Sequence, residues 1–346
     1  MGRKVVMTAD FAGIPSNREG YHKAGAEFSK IHCKDEDQLI SAAREADAVI
    51  CLGIQPYTRK VIEALGRCRL ISCIGVGVDG VDVGFATERG VCISNVVDHC
   101  NDEIAEHTMG LLLLSARKLP RLDKAIRDGK YRSLAPRTPE ILQILAGIPR
   151  VKGQTLGIIG FGRLGKAVAA RAKCFGMRVI AHGRSTPDSV FDEHGVEKVD
   201  LDSLLRNSDY VSLHCSLTSE NRRMLGAEQF EKMKPTAYFI NTARGGLVDT
   251  PALYDALSRG LIAGAALDTV EPEPLSLDSP LFKLENVFFT PHCAGFSEES
   301  KIQLCRMPEE EVFRILSGEW PRNLFNPSVK PVFLARWPDF KAGQRG

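Results

Sequence analysis

Short apolar runs alternate with amphipathic stretches along almost the whole chain, an alternation that is typical of a parallel sheet covered by helices. Within the first hundred residues, four apolar runs predict strands: Val5 to Thr8, Ala48 to Gly53, Leu70 to Gly75 and Val91 to Asn95. Helical patterns at Glu36 to Ala46 and Thr58 to Leu65 separate some of these runs. We therefore expect a small βαβ unit at the start of the chain.

A long helix is predicted next, with Asn101 or Asp102 as its N-cap and Glu103 in its first turn. Six further apolar runs then predict a larger sheet: Thr155–Gly160, Arg178–Ala181, Tyr210–His214, Ala237–Asn241, Gly264–Asp268 and Val287–Thr290. A final helix, Glu298 to Ser317, would return the chain to the first unit. The predicted fold class is α/β, with a Rossmann dinucleotide-binding domain (103–297) inserted in a smaller flavodoxin-like α/β substrate domain (1–102 and 298–346).

Two segments fit neither pattern. The stretch from Ser133 to Val151 contains Pro136, Pro139 and Pro149, so we expect a surface loop with one helical turn. The tail after Pro327 is rich in proline, and we expect it to be ordered only if it docks against the rest of the protein.

A glycine motif stands between the first strand and the first helix of the larger predicted sheet. Gly160, Gly162 and Gly165 have the spacing G-x-G-x-x-G, and the amphipathic run Arg163 to Phe175 follows. In dinucleotide-binding turns these glycines allow a tight turn, close approach of the backbone to a pyrophosphate and close helix–strand packing. The alternative is a plain glycine-rich turn, but the strand–loop–helix context favours a dinucleotide site that also includes Arg163 and Leu164.

Composition excludes several classes of function. The chain has 44% hydrophobic and 25% charged residues and a formal net charge of +2, without a basic block that would favour nucleic acid. The ten cysteines are scattered and form no C-x-x-C pair, which argues against a zinc site or a disulfide framework. The longest apolar stretch, Met109 to Ala116, is too short to cross a bilayer. We expect a soluble cytoplasmic protein without a metal.

Four motifs occur together in one order: Gly75 to Asp82, Gly160 to Gly165, Asn241 to Asp249, and Ala265 to Pro274 followed by Thr290-Pro291-His292. In this the chain resembles the D-isomer-specific 2-hydroxyacid dehydrogenase family. Its segments Val211–Cys215, Thr242–Asp249 and Ser297–Ser300 look most like the branch that includes the C-terminal-binding-protein corepressors. The resemblance implies hydride transfer between NAD(P)H and a 2-keto acid or D-2-hydroxy acid. The alternative is a dinucleotide-sensing scaffold of the corepressor type that turns over slowly.

Three residues fit the chemistry of reducing a 2-keto acid. Arg244 follows a predicted strand, and its planar guanidinium can bind adjacent substrate oxygens bidentately, although it could instead form a surface ion pair. His292 can give and take a proton near neutral pH, although an isolated histidine is more often a core residue. The resemblance implies that Glu273 pairs with His292 and favours its imidazolium form, and we expect Glu271 to be a solvated loop residue.

The resemblance also implies further binding residues. Asp268 would lie at the nicotinamide end of the cofactor, with a strand-end cap as the alternative. Further cofactor contacts would come from Thr108, Cys215, Thr242 and Ala243. The backbone N–H groups of Val76 and Gly77, with Gly53 nearby, would bind the substrate carboxylate, with a structural turn as the alternative. We expect His107 to be structural or to lie at an interface.

The choice of cofactor depends on the end of the second Rossmann strand. An NAD site usually has Asp or Glu there to accept from the ribose 2′-OH, but this chain has Gly183. Arg184, Ser185 and Thr186 follow, and they suit a 2′-phosphate, so NADP is the preferred prediction. The alternative is NAD, with Arg184 in solvent and Asp188 at the ribose.

Two positions depart from the pattern that the chain resembles. Ser216 occupies a position where the family usually has proline, and Gly295 occupies one where the corepressor branch typically has tryptophan. Because of Gly295, the substrate preference of that branch cannot be assumed for this chain. The resemblance further implies a homodimer, in which the long helix starting near Asn101 and its neighbours pair two nucleotide domains.

Overall fold

The structure is a computed structural model that describes residues 2–9, 16–130 and 139–340. The chain divides into two compact units. The first unit comprises Met1–His99 and Ser297–Gly346, and the second unit comprises Cys100–Phe296.

Both units alternate strands and helices. In the described residues the strands are β1 (Arg3–Met7), β2 (Ala26–Lys30), β3 (Ala48–Leu52), β4 (Leu70–Ile74), β5 (Cys92–Ser94), β6 (Thr155–Ile159), β7 (Arg178–His182), β8 (Glu197–Lys198), β9 (Tyr210–Leu213), β10 (Tyr238–Asn241), β11 (Gly264–Leu267) and β12 (Val287–Phe289). The helices are α1 (Arg18–Lys23), α2 (Glu36–Ala43), α3 (Arg59–Ala64), α4 (Val83–Glu88), α5 (Asn101–Ala116), α6 (Leu119–Arg127), α7 (Pro139–Leu145), α8 (Arg163–Cys174), α9 (Asp188–Glu193), α10 (Leu201–Asn207), α11 (Ala227–Glu231), α12 (Thr250–Ser258), α13 (Glu298–Leu316) and α14 (Lys330–Arg336).

The first unit is built on a parallel sheet with the order β2-β1-β3-β4-β5, which is the flavodoxin-like order. The sequence predicted four of these strands and missed β2, because its residues are exposed or half-buried and form no apolar run. Helix α13 packs on this sheet. The tail docks as far as residue 340, because Phe333 of α14 is fully buried and its ring packs against those of Trp320 and Phe340.

The second unit is a Rossmann sheet of parallel strands in the order β12-β11-β10-β9-β6-β7-β8. The short edge strand β8 was not predicted, because both of its residues are exposed. At the centre of the sheet, Asn241 of β10 pairs with Leu213 of β9 on one side and with Leu267 of β11 on the other. The carboxyl ends of β9, β10 and β11 are therefore level, and the loops that follow them begin side by side.

Helix α5 begins at Asn101 and packs against α8 of the second unit. The predicted N-cap was wrong. Cys100 occupies that position without a side-chain cap hydrogen bond, and Asn101 already lies in the first turn. The acidic residues Asp102 and Glu103 in this turn interact favourably with the helix dipole, which compensates for the missing cap.

The segment from Ser133 to Val151 holds more helix than predicted. Residues 133–138 lie outside the described residues, but α7 follows them and spans about two turns rather than one. Ile141 and Ile144 of α7 are buried beside Ala125 of α6, and this small apolar cluster explains the extra turn. Across the described parts of both units, no helix combines the length and apolar composition needed to cross a membrane.

Candidate active site

The glycine loop lies between β6 and α8 of the second unit, as predicted. Gly160 has φ +98°, and a Cβ there would lie 2.6 Å from the backbone nitrogen of Cys215. A Cβ on Gly165 would lie 2.2 Å from the carbonyl oxygen of Gly160, so helix and strand approach too closely for a side chain. At Gly162, by contrast, an added Cβ would meet nothing within 4 Å. The loop is therefore tight at Gly160 and Gly165 and open at Gly162.

The open side of the glycine loop, at Gly162, lies at the start of α8. Gly162 is its N-cap residue and supplies no side-chain cap, so an external acceptor can approach the N–H groups of the first turn. Arg163 is exposed and Leu164 half-buried beside this opening. A helix N-terminus of this kind binds phosphate through its N–H groups and its dipole. The loop therefore fits the pyrophosphate of a dinucleotide.

The loop after β10 carries Arg244 and is held by the last residue of that strand. Asn241 accepts from the Ala243 N–H at 3.0 Å through Oδ1 and donates to the Arg244 carbonyl at 3.0 Å through Nδ2. The Arg244 side chain is half-buried, and its Nη1 donates to the Ala243 carbonyl at 2.8 Å. The buried hydroxyls of Thr108 on α5 and Thr242 lie 3.0 Å apart behind this loop. These contacts fix the backbone from which Arg244 extends.

His292 and Glu273 are hydrogen-bonded to each other at the same edge of the sheet. Nδ1 of His292 lies 2.7 Å from Oε1 of Glu273, and the two side chains are 45% and 39% exposed. His292 follows β12 with φ +51°, a left-handed conformation that is uncommon for a side-chain-bearing residue and often found at functional sites. The pair is thus preformed and still open to a substrate.

Asp268 holds the turn that carries His292. Its Oδ1 accepts from the Thr290 hydroxyl at 2.5 Å and from the Cys293 N–H at 2.9 Å, and its Oδ2 accepts from the Ala294 N–H at 3.0 Å. The residue is only 3% exposed. These bonds correspond to the strand-end cap that the sequence left as the alternative to a cofactor contact.

His107 of α5 completes this hydrogen-bond network, since its Nε2 lies 3.0 Å from the Thr290 hydroxyl. The ligand atoms of His107, Asp268 and Cys293 lie within 4.8 Å of one another, as a metal site would require. Both Asp268 oxygens already accept from the protein, however, so hydrogen bonding accounts for this cluster.

The adenosine end of the predicted site is mostly exposed. Arg184 lies 3.8 Å from Glu220, and both side chains are largely in solvent. The Thr186 hydroxyl bonds to the Phe161 carbonyl at 3.4 Å, and Ser185 is exposed. Asp188, the alternative ribose ligand, pairs with Lys198 at 2.6 Å.

A buried histidine lies directly behind the glycine loop. The backbone of His214 would lie within 2.7 Å of a Cβ at Gly160, and its Nε2 is 2.8 Å from the Ser212 hydroxyl. Burial lowers the pKa of His214 to about 4, so its ring is neutral at physiological pH. The next residue, Cys215, is half-buried, and burial raises the pKa of its thiol.

The three residues predicted at the substrate carboxylate lie in the first unit. A Cβ on Gly53 would be 1.8 Å from the carbonyl oxygen of Gly77, so the loops after β3 and β4 touch through their backbones. The Gly80 N–H donates to the Gly53 carbonyl at 2.7 Å, and Asn95 donates to the Val76 carbonyl at 2.7 Å. The structure therefore brings Gly53, Val76 and Gly77 together in one network.

One prediction at the second unit's site was wrong. Glu271 is not a solvated loop residue, because it pairs with Arg222 and its side chain is 31% exposed. Sequence reasoning had no signal for this contact, since Arg222 stands 49 residues earlier in a loop that carries no motif.

Residues 109–294 match the family model for the D-isomer specific 2-hydroxyacid dehydrogenase, NAD binding domain. A glyoxylate reductase from Korarchaeum cryptofilum is 40% identical over 295 residues, which cover 85% of this chain and 87% of the relative. The chain belongs to the D-isomer-specific 2-hydroxyacid dehydrogenase family. It is an NAD(P)-dependent oxidoreductase that acts on CH–OH donors and reduces 2-keto acids.

Other relatives and solved structures agree with this membership. A D-3-phosphoglycerate dehydrogenase from Methanocaldococcus jannaschii is 37% identical over 303 residues, covering 87% of this chain and 56% of that protein. The TT0316 protein from Thermus thermophilus has a TM-score of 0.82 at 33% identity, covering 93% of this chain and 99% of that one. An acyclic imino acid reductase in complex with NADPH and D-Arg has a TM-score of 0.82 at 27% identity, covering 93% and 99%.

The alternative function, a dinucleotide-sensing scaffold of the corepressor type, is not favoured. The relatives at 35–40% identity include several glyoxylate reductases. Gly295 gives a physical reason, because a Cβ there would lie 3.1 Å from Sγ of Cys100. The tryptophan of the corepressor branch therefore has no space at this position without rearrangement.

Proposed function

We propose that the protein is a glyoxylate- or hydroxypyruvate-type reductase in which Arg244, Glu273 and His292 perform the chemistry. The observation that carries this proposal is the preformed His292–Glu273 pair, 2.7 Å between Nδ1 and Oε1. Glu273 lies in the loop after β11, and His292 lies in the loop after β12. Strand β10, the neighbour of β11, leads into the loop that carries Arg244. Ligands in open α/β sheets bind at the carboxyl ends of the strands, where all three residues lie.

Each of the three residues has a distinct task. Glu273 accepts from Nδ1 of His292, which fixes the ring and leaves Nε2 to give a proton to the substrate carbonyl oxygen. Arg244 binds the oxygens of the 2-keto acid and stabilises negative charge that develops on the carbonyl oxygen. When bound, the reduced nicotinamide supplies the hydride. Asp268 keeps His292 in place through the N–H groups of Cys293 and Ala294.

The second unit would be the dinucleotide-binding domain. The open face at Gly162 and the uncapped start of α8 would hold the pyrophosphate, with Arg163, Leu164 and the loop glycines around it. Contacts along the rest of the dinucleotide would come from Thr108, Cys215, Thr242, Ala243 and Asp268. In the first unit, the backbone at Val76, Gly77 and Gly53 would bind the substrate carboxylate.

We infer a preference for NADPH over NADH. Gly183 offers no carboxylate to a ribose diol, whereas Arg184, with Ser185 and Thr186, offers a cation and hydroxyls to a 2′-phosphate. In the described residues Arg184 pairs with the exposed Glu220 at 3.8 Å, a contact weak enough for a phosphate dianion to displace. Asp188 stays the alternative ribose ligand, because its pair with Lys198 is exposed as well.

We also infer a homodimer in a reducing compartment. The homodimer rests on family membership, in which helix α5 and its neighbours pair two nucleotide domains. The compartment rests on the spacing of the ten cysteines, which are scattered without a C-x-x-C pair and suit reduced thiols. Light scattering should give twice the mass of the 38.0 kDa chain, and a monomer would contradict the dimer.

The substrate assignment is tested by steady-state reduction of a 2-keto acid panel with NADPH and with NADH. We expect the highest kcat/KM for glyoxylate or hydroxypyruvate and a loss of at least about tenfold for bulkier 2-keto acids, the lower end of what one methylene group is worth in substrate discrimination. For changes at Arg244 the matched control is Arg259→Ala, which removes an exposed arginine at the C-cap of α12 that pairs with Asp255. A protein that prefers bulky substrates would contradict the substrate class.

A further inference from the structure

We propose that the Arg222–Glu271 ion pair is a clamp that positions the catalytic loops, so that Arg222 and Glu271 are positioning residues for the reaction. The proposal rests on the roles given above to Arg244, Glu273 and His292. Nη2 of Arg222 pairs with Oε1 of Glu271, and nothing in the sequence motifs assigns either residue a function.

The pair joins two loops that are separated by a third. Arg222 lies in the loop after β9 and Glu271 in the loop after β11, whereas Arg244 lies in the loop after β10, the strand between them. The ion pair therefore spans the loop that carries Arg244. Strand pairing fixes where these loops begin, but contacts beyond the strand ends must fix how they continue.

Gly246 lies directly beneath the pair. A Cβ there would be 3.1 Å from Oε2 of Glu271 and 3.2 Å from Nη1 of Arg222, so the missing side chain leaves the space that the pair occupies. At Gly245 a Cβ would be 2.0 Å from the carbonyl carbon of Val270. The Arg244 loop is thus packed against the Glu271 loop along its backbone, and the clamp closes over this contact.

Both ends of the clamp are themselves anchored. The loop before Arg222 is held by Asn221, which accepts from the Thr218 N–H at 2.7 Å and donates to the Ser216 carbonyl at 2.7 Å. The Glu271 carbonyl accepts from the Thr250 hydroxyl at 2.7 Å. The backbone at both ends of the pair is therefore held by hydrogen bonds, so the Arg222 guanidinium can restrain the Glu271 carboxylate.

Glu273 follows Glu271 by two residues, so a shift at Glu271 is passed directly to the carboxylate that orients His292. The side chains of Arg222 and Glu271 are 50% and 31% exposed. Ion pairs with this exposure contribute little to folding stability. The loss of the clamp should therefore appear in the kinetics of reduction rather than in the melting temperature.

A double-mutant cycle with Arg222→Gln, Glu271→Gln and both together tests the clamp. We expect each single change to lower kcat for the best 2-keto acid by roughly tenfold, because misplacement of catalytic groups by a fraction of an ångström has effects of this size. We expect the double variant to be no slower than either single variant, and we expect Arg222→Lys to recover part of the lost kcat. The KM for NADPH should stay within about twofold, because the clamp does not touch the glycine loop.

The matched control is the Arg178–Glu197 pair of β7 and β8, an exposed Arg–Glu contact in the same unit at 2.5 Å. Arg178→Gln and Glu197→Gln should leave kcat unchanged. Any of three results would overturn the proposal. The effects of the two single changes could simply add in the double variant, the clamp variants could have the kcat of the normal protein, or a fall in melting temperature could account for the lost activity.

A second readout separates the clamp from the proposed function. The imidazole nitrogen shifts of His292, assigned by comparison with His292→Asn, report its bond to Glu273 without any turnover. Glu271→Gln should change these shifts, and the Arg178→Gln control should not. Unchanged shifts would overturn the clamp even in an active enzyme, whereas absent turnover with changed shifts would overturn the proposed function alone.

Discussion

Replacing Asp268 by asparagine should damage stability and catalysis together, because this buried side chain accepts three hydrogen bonds from the turn around His292. An amide has one acceptor oxygen and one donor nitrogen. In one orientation its NH₂ group faces the Ala294 N–H, and in the other it faces the Cys293 N–H. The Thr290 hydroxyl can rotate to accept, but a backbone N–H cannot, so one buried donor is left without a partner in either orientation.

An unsatisfied buried donor costs about 1–3 kcal/mol. We therefore expect the free energy of unfolding to fall by this amount in urea titrations of Asp268→Asn. The turn moves to relieve the donor–donor contact and takes His292 with it. A displacement on the order of 1 Å lowers kcat/KM for the best 2-keto acid by roughly 100-fold.

Asp209→Asn is the matched control. Asp209 accepts from the Thr155 N–H at 2.8 Å and from Lys234 at 2.8 Å, and it precedes β9 at the opposite edge of the same sheet. The control should lose stability with kcat/KM unchanged within about twofold. If Asp268→Asn matched the normal protein in both measurements, or lost activity no more than the control did, the positioning role of Asp268 would be refuted.

Three further predictions concern single side chains. Glu273→Gln keeps an acceptor for Nδ1 of His292 but removes the negative charge. The kcat for reduction should therefore fall by about 100-fold, the scale of general-acid catalysis, while KM for NADPH stays unchanged. An unchanged kcat would show that Glu273 does not have this role. Arg184→Ala should lose about tenfold in kcat/KM with NADPH and little with NADH, and equal losses would return Asp188 to consideration. His214 has a folded-state pKa of about 4, below its unfolded value of about 6.5, so its contribution to stability is present above pH 6.5 and is lost as the pH falls towards 4. The loss should reach about 3 kcal/mol in urea titrations and be absent in His214→Gln, and equal pH dependence in both proteins would contradict it.

The sequence predicted those parts of the fold whose signal is local. Strands such as β4 and β6 are buried on both faces and appear as continuous apolar runs. Strands β2 and β8 lie at sheet edges, and their exposed residues leave no such pattern. The N-cap of α5 was predicted at Asn101 or Asp102 because both residue types are good caps, whereas both lie inside the helix, whose N-cap is Cys100.

At the site, sequence reasoning reached the residues whose motifs are contiguous. The glycine loop needs only a strand, three glycines and a helix, and all of these are visible along the chain. The strand-end role of Asp268 depends on N–H groups 25 and 26 residues later, which no local pattern reveals. The pair between Arg222 and Glu271 likewise exists only because β9, β10 and β11 end level with one another.

The proposed reaction reduces a 2-keto acid to its D-2-hydroxy acid with a hydride from a reduced nicotinamide dinucleotide. The most direct measurement is chiral chromatography of the product formed from hydroxypyruvate and NADPH deuterated at the transferred position. We expect the D isomer with deuterium at carbon 2, formed by the normal protein and not by His292→Asn. Formation of the L isomer, or of product without deuterium at carbon 2, would contradict it.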